Sequence, residues 1–148
     1  MPARVLVVDD SAFMRKIISE MVGSDPALEV AGTARDGADA LTKIAQLRPD
    51  LMTLDVEMPV LNGLDTLRKL RELPMAKKPR VVMCSSLTRE GSVAALTALD
   101  LGAADFVAKD ASIAVTGLDE LKRDLITRLK ALAPRVSAQP RPAPAPVR

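Results

Sequence analysis

The sequence predicts an α/β fold in which helices cover both faces of a doubly wound, five-stranded parallel sheet. Two observations lead to this class. Five short runs of β-branched or apolar residues alternate strictly with five segments of helical period, which is typical of right-handed βαβ units. The chain of 148 residues, 48% of them hydrophobic, is long enough for one such domain and too short for two large ones.

The elements follow one another in a regular order. The first helix is predicted over 14–22, where apolar residues recur at i, i+3, i+4, i+7 and i+8. Leucine and isoleucine spacing marks four more helices, around 41–45, 64–70, 96–99 and 118–132. Between them lie runs that can be buried on both sides, as strands of a parallel sheet are. These predicted strands are Val5–Val8, Glu29–Thr33, Leu51–Leu54, Arg80–Cys84 and Asp105–Ala108.

Composition excludes several classes of protein. The chain has no histidine, which removes Ser-His-Asp hydrolysis, histidine-ligated metals and histidine general bases. Its single cysteine, Cys84, excludes an internal disulfide and suits a reducing cytoplasm, where we expect the protein to reside. No apolar run approaches the ~18 residues that cross a membrane, and the N-terminus lacks a secretory cleavage site.

The last fifteen residues differ from the rest. Residues 134–148 contain five prolines, three arginines and no acid, so they favour an extended, disordered linker. We therefore expect a domain over residues 1–133 and a proline-rich tail over 134–148. Without the tail the formal charge falls from +2 to −1, and such a near-neutral domain is not an electrostatic binder of nucleic acid.

Polar residues stand directly after four of the predicted strands. Asp9 and Asp10 follow the first strand, Asp55 the third, Ser85 the fourth and Lys109 the fifth. Each alone has a simpler explanation, because an aspartate or serine there often caps a helix and a lysine is usually solvated. In a parallel α/β sheet, however, the functional crevice lies beyond the carboxyl ends of the strands. We therefore expect these residues to meet at one edge.

Three carboxylates in one crevice require a compensating cation. Two unit charges about 4 Å apart repel by roughly 4 kcal/mol at an effective dielectric constant of 20, and one lysine cannot offset three acids. A hard divalent ion with oxygen ligands fits, and Mg²⁺ suits a small open site. With a nearby lysine and hydroxyl, such a cluster is suited to accepting a phosphoryl group on Asp55.

Several segments carry a resemblance to a known family. V-L-V-V-D-D-S, R-P-D-L-M-T-L-D-V-E-M-P-V-L-N-G-L-D, V-V-M-C-S-S-L-T and G-A-A-D-F-V-A-K resemble the receiver domain of bacterial two-component response regulators, over about residues 3–132. D-V-E-M-P with N-G-L-D, together with S-S-L-T-R-E-G-S, further resembles the receiver of chemotaxis protein-glutamate methylesterase (CheB type). The resemblance implies a flavodoxin-like (βα)5 fold with strand order 2-1-3-4-5.

The resemblance also implies roles for individual residues. Asp55 would be the phosphoacceptor, with Asp10 a direct Mg²⁺ ligand, Asp9 acting largely through water and the Glu57 backbone carbonyl a third protein ligand. The phosphoryl donor would be a phosphohistidine on a separate chemotaxis-type histidine kinase.

Further roles follow for the fourth and fifth strands. Ser85, rather than Ser86, would be the hydroxyl that turns toward the phosphoryl group. Lys109 would be the lysine of the site, and Phe106 the aromatic switch on the last strand. Family members read Lys-Pro where this chain reads Lys109-Asp110. A cis bond before a non-proline residue costs about 2.5–4 kcal/mol, so we expect this bond to be trans and the loop from Asp110 to Thr116 to be displaced.

In the methylesterases an esterase domain follows the receiver and its linker. This chain has no G-x-S-x-G and no histidine, so the chain itself is expected to be a switch that is not an enzyme, cut from a longer methylesterase acting on chemoreceptors. The alternatives are a receiver-only regulator that acts through protein–protein contacts, or a haloacid dehalogenase-like phosphatase. The phosphatase requires D-x-D where the sequence has Asp55-Val56-Glu57. A Rossmann domain is excluded because no G-x-G-x-x-G follows the first strand.

Overall fold

Five parallel strands form one sheet in the order β2-β1-β3-β4-β5, as predicted. The computed structural model describes residues 2–75, 77–85, 89–108 and 115–134. Helices alternate with the strands along the chain. The elements are β1 (Ala3–Val8), α1 (Ala12–Gly23), β2 (Leu28–Ala34), α2 (Gly37–Leu47), β3 (Leu51–Asp55), α3 (Gly63–Glu72), β4 (Arg80–Ser85), α4 (Arg89–Asp100), β5 (Asp105–Ala108) and α5 (Val115–Leu132).

Four of the strands extend beyond the apolar runs that predicted them. β1 begins at Ala3 rather than Val5, and β2 gains one residue at each end. β3 and β4 each include one more residue, so Asp55 and Ser85 are the last residues of their strands and do not follow them. Backbone pairing causes this difference: Asp55 lies opposite Cys84, and Ser85 opposite Ala108.

The sheet separates two hydrophobic clusters. Alternation along β1 sends Val5 and Val7 to the face covered by α1 and α5, and Leu6 and Val8 to the face covered by α2, α3 and α4. Both faces are therefore apolar, which is the physical reason why the strands read as continuous hydrophobic runs.

The loops at the carboxyl edge of the sheet lead directly into helix caps. Ser11, Asp36 and Asn62 each accept a hydrogen bond from the backbone N–H three residues later, at the starts of α1, α2 and α3. Among the residues described, no helix combines the length and the hydropathy that a membrane crossing requires.

The opposite edge of the sheet is held by an aspartate. The Asp50 side chain accepts from the Arg4 backbone N–H at 2.9 Å, and its carbonyl oxygen accepts from Arg80 N–H at 3.1 Å. The end of α5 lies nearby, because residues 131–134 line a cavity together with Asp50 and Arg80. Of the predicted tail, only Pro134 belongs to the described residues.

Candidate functional site

Three carboxylates meet at the carboxyl edge of the sheet. β1 and β3 are neighbours, and the pairing of Val8 with Leu54 brings the residues that come next, Asp9 and Asp55, side by side. One carboxylate oxygen from each of Asp9, Asp10 and Asp55 lies within 4.8 Å of the others. Asp9 and Asp55 are 1% and 6% exposed, whereas Asp10 is open to solvent. Two acids of the cluster are therefore buried, and the third is accessible to solvent.

Hydrogen bonds to its backbone and its side chain hold Asp9 in place. Its N–H donates to the Ala34 carbonyl oxygen at 3.1 Å, which extends the β1–β2 pairing by one residue. Its Oδ1 accepts from Ser11 N–H at 2.9 Å, and its carbonyl oxygen accepts from Arg15 Nη1 at 2.7 Å. The guanidinium places a positive charge next to the cluster. Arg15 was not predicted as a site residue, although its position in the first turn of α1 indicates that it lies close to the end of β1.

The backbone that follows Asp55 turns back over the end of β3, and its hydrogen bonds fix the position of Asp55. Val56 N–H donates to the Cys84 carbonyl oxygen at 3.3 Å, and Gly63 N–H donates to the Val56 carbonyl oxygen at 2.8 Å. A Cβ at residue 63 would overlap the Asp55 carbonyl oxygen and lie 3.0 Å from Val56 Cα. Only glycine permits this approach, so the start of α3 is seated on the end of β3.

The loop between β3 and α3 contains a strained turn. Leu61 N–H donates to the Pro59 carbonyl oxygen at 2.7 Å, a bond that spans two residues and defines a γ-turn. Its central residue, Val60, has φ of 70° and is 81% exposed. A β-branched residue in this region of backbone space is an outlier. Glu57, whose carbonyl was predicted to be a metal ligand, is an exposed residue of the same loop.

The remaining predicted site residues lie on the two strands beyond β3. Ser85 is buried at the end of β4, one residue past the Cys84 that pairs with Asp55. Phe106 lies on β5, pairs with Met83 of β4 and is 36% exposed. Lys109 and the Lys109-Asp110 bond lie outside the described residues, as does the loop that follows.

One buried polar group near the site was not predicted. Thr53, two residues before Asp55 on β3, is buried, and its hydroxyl has no hydrogen-bond partner among the residues described. Thr53 lies two residues after Leu51 on β3, so both side chains are on the same face of the sheet. On that face Leu51 packs in the hydrophobic cluster under α1 and α5. A buried hydroxyl without a hydrogen-bond partner destabilises the folded state, so a substitution that removes the Thr53 hydroxyl should change the free energy of unfolding measurably.

The donor set of the cluster suits a hard divalent cation. All three side chains supply carboxylate oxygens, which are the ligands that Mg²⁺ prefers, and their separation of at most 4.8 Å lets one ion touch more than one of them. Because Asp10 is exposed, one side of the cluster is open to solvent, and an anionic group can approach a bound cation from that side. The arrangement can therefore hold a cation and a transferred anionic group against a buried carboxylate.

Comparison with known proteins gives consistent results. The family model described as "Response regulator receiver domain" matches residues 5–116. Two relatives named "Protein-glutamate methylesterase/protein-glutamine glutaminase" are similar over most of the chain. The protein from Symbiobacterium thermophilum is 52% identical over 91% of this chain and 37% of its own length. The protein from Halalkalibacterium halodurans is 51% identical over 97% and 40%. The chain thus spans about two-fifths of these relatives.

Solved structures show the same similarity. The response regulator domain of Thermotoga maritima CheB superposes with a TM-score of 0.79 at 40% identity, covering 89% of this chain and 96% of that domain. A chain of the CheX-CheY-BeF3-Mg²⁺ complex from Borrelia burgdorferi gives a TM-score of 0.72 at 28% identity, covering 89% of this chain and 90% of that chain. The predicted fold class and strand order are confirmed.

Proposed function

The chain belongs to the response regulator receiver family and is similar to CheB receivers, and from this premise we propose that Asp55 accepts a phosphoryl group from a histidine kinase. The observation that carries the proposal is the cluster of Asp9, Asp10 and Asp55, whose carboxylate oxygens lie within 4.8 Å of one another at the end of β1 and β3. Phosphorylation then switches an interface that controls an attached effector.

The transfer is a substitution at phosphorus. A carboxylate oxygen of Asp55 attacks the phosphorus of a phosphohistidine, the P–N bond breaks as the P–O bond forms, and the imidazole leaves with the electron pair. Asp55 becomes an acyl phosphate and the kinase histidine is regenerated. Burial of the Asp55 side chain, which is 6% exposed, restricts attack to the open edge of the sheet.

We assign Mg²⁺ to Asp10 and Asp55 directly, to Asp9 largely through water and to the backbone carbonyl of Glu57. When bound, the ion neutralises the carboxylates and the incoming phosphoryl oxygens. The contacts from Ser11 and Arg15 keep Asp9 oriented toward the cluster. Lys109 is proposed to pair with the phosphoryl group, and Ser85 to hydrogen-bond it.

The proposed output surface consists of α4, β5 and α5. Val93 and Leu96 on α4 are exposed apolar residues, and the ring of Phe106 on β5 is partly exposed. We propose that Phe106 turns inward when Ser85 moves toward the phosphoryl group. This change alters the apolar content of the surface and so its affinity for a partner domain.

We further propose that the receiver covers residues 1–133 and that residues 134–148 link it to a methylesterase domain that acts on chemoreceptors. The names of the relatives support the methylesterase part of this assignment. The receiver itself supplies the switch and no esterase chemistry. A cytoplasmic location, a chemotaxis-type kinase as phosphodonor, and the absence of nucleic-acid binding and membrane insertion belong to the same proposal.

The test is phosphorylation by acetyl phosphate followed by mass spectrometry of the intact protein. We expect one added phosphoryl group in the presence of Mg²⁺, none with EDTA and none in Asp55→Asn. Asp119→Asn, which changes an exposed acid on α5, is the matched control and should be labelled like the parent. Labelling of Asp55→Asn, or labelling that ignores EDTA, would overturn the assignment. Multiple turnover of a phosphate monoester would favour the phosphatase alternative.

A further inference from the structure

The positive charge of the domain is concentrated in one segment. Six of the thirteen residues 68–80 are Lys or Arg and one is acidic, so this segment carries a formal charge of +5, against +2 for the whole chain. The segment runs from the second half of α3 to the first residue of β4. Arg80 pairs with Leu51 at the start of β3, whereas Asp55 ends that strand. The segment therefore lies at the edge of the sheet opposite the acidic cluster.

Three cavities flank this segment, and two of them share Lys78. The first, of about 490 Å³, lies between Lys77, Lys78, Arg80 and the end of α5 at residues 131–134. The second, of about 330 Å³, has an apolar floor that includes Leu67, Leu70, Val81 and Leu101, with Arg71 and Lys78 at its rim. We call the two cavities and their cationic rim the basic groove.

Only part of the positive charge at the basic groove is neutralised. Lys77 Nζ lies 2.8 Å from Asp50 Oδ1, and Lys78 Nζ donates to the Arg71 carbonyl oxygen at 2.7 Å. Within the described parts of the chain, the exposed side chains of Arg71 and Arg80 take part in no ion pair. The groove thus presents unbalanced cations around an apolar floor.

We propose that the basic groove binds an acidic peptide segment of a partner protein that also carries apolar side chains. Charge complementarity requires acids in the ligand, and the floor of the second cavity requires apolar groups among them. The chain's own tail does not fit, because it holds three arginines and no acid. A nucleic acid fits less well, since an apolar floor offers nothing to phosphates and the chain has no Trp or Tyr for stacking. A lipid surface is flat, whereas this site is concave.

The test is a binding titration of the full chain with a fluorescein-labelled twelve-residue peptide of alternating Glu and Leu. Anisotropy gives the Kd at low and high salt, and amide chemical shifts map the binding site. A Lys/Leu peptide, a single-stranded DNA oligonucleotide and phosphatidylglycerol vesicles are the competing probes. The test variant is Arg71→Glu with Arg80→Glu, because both side chains are exposed. The matched variant is Lys16→Glu with Lys122→Glu, which makes the same charge change at exposed positions on α1 and α5.

We expect shifts confined to residues 67–81, 101–102 and 131–134, and a Kd that rises at least tenfold in Arg71→Glu/Arg80→Glu and less than twofold in the matched variant. Thermal unfolding of each variant shows that it is folded. The absence of binding, shifts outside the groove, or equal loss in both variants would overturn the proposal. Tighter binding of the DNA or the vesicles would also overturn it, in favour of a general polyanion surface. All of these outcomes are independent of phosphorylation at Asp55.

Discussion

Replacing Val60 with glycine is expected to stabilise the protein. Val60 is the central residue of the γ-turn after β3, with φ of 70° and a side chain that is 81% exposed. For residues other than glycine, this left-handed region costs about 1–2 kcal/mol, because Cβ crowds the carbonyl oxygen that follows. Because the Val60 side chain is mostly exposed, it makes little packing contact that could offset this cost. Removing the side chain therefore relieves strain without opening a cavity.

The net effect follows from two opposing terms. Relief of strain gains about 1–2 kcal/mol, while the added freedom of glycine in the unfolded chain loses about 0.4–1 kcal/mol. We therefore expect Val60→Gly to raise the free energy of unfolding by about 0.5–1 kcal/mol. For a domain of this size that corresponds to an increase in Tm of about 2–4 °C.

Urea and thermal unfolding followed by circular dichroism measure this difference. The matched control is Val93→Gly, which makes the same substitution at a 60% exposed valine inside α4. There glycine should lower stability by a few tenths of a kcal/mol, since helix propensity falls and no strain is relieved. If both variants lose stability, or if Val60→Gly matches the parent, the reasoning about strain is refuted.

Three further substitutions test polar groups on β3, on α3 and at the edge of the sheet that Asp50 holds. Thr53→Val should raise the unfolding free energy by up to about 1 kcal/mol, because it removes a buried hydroxyl without a partner. Thr66→Val should lower it by about 1 kcal/mol, since the buried Thr66 hydroxyl donates to the Asn62 carbonyl oxygen at 2.7 Å. Urea unfolding measures both variants: a loss of stability in Thr53→Val, or no loss in Thr66→Val, would contradict the corresponding prediction. Burial raises the pKa of Asp50, but the Lys77 ammonium and the Arg4 N–H outweigh it and hold this pKa below 3.8. Asp50→Asn should therefore lower stability at neutral pH, and the deficit should vanish as the pH falls through the pKa of the folded protein; a deficit that persists far below 3.8 would contradict this.

Much of the fold could be predicted because burial on both faces leaves a clear pattern in the sequence. Five apolar runs identified all five strands, and helical spacing identified all five helices. The strand ends were less accurate, because hydrophobicity reports which side chains are buried and not where backbone pairing stops. β3 continues to Asp55 since its backbone still pairs with β4 at Cys84, although the side chain there is charged.

The convergence of the acids was predictable for a related reason. Strand order and direction bring the ends of β1 and β3 together whatever the side chains are, so Asp9 and Asp55 had to meet. The strained turn at Val60 was not predictable, since valine carries no preference for positive φ. The bond from Arg15 to Asp9 depends on the rotamer of one long side chain, which sequence spacing leaves undetermined. The chemical roles assigned to all of the site residues, including Asp55, Ser85 and Lys109, remain predictions.

The first strand begins, and the last helix ends, at the edge of the sheet that Asp50 holds. That edge is about 16 Å from the acidic cluster, the rise of five residues along β3. A module with this layout can be recombined during evolution, because a new neighbour fused at either end is attached away from the acidic cluster. The same layout favours protein engineering: a fluorophore or an affinity tag attached here should not obstruct the acidic cluster.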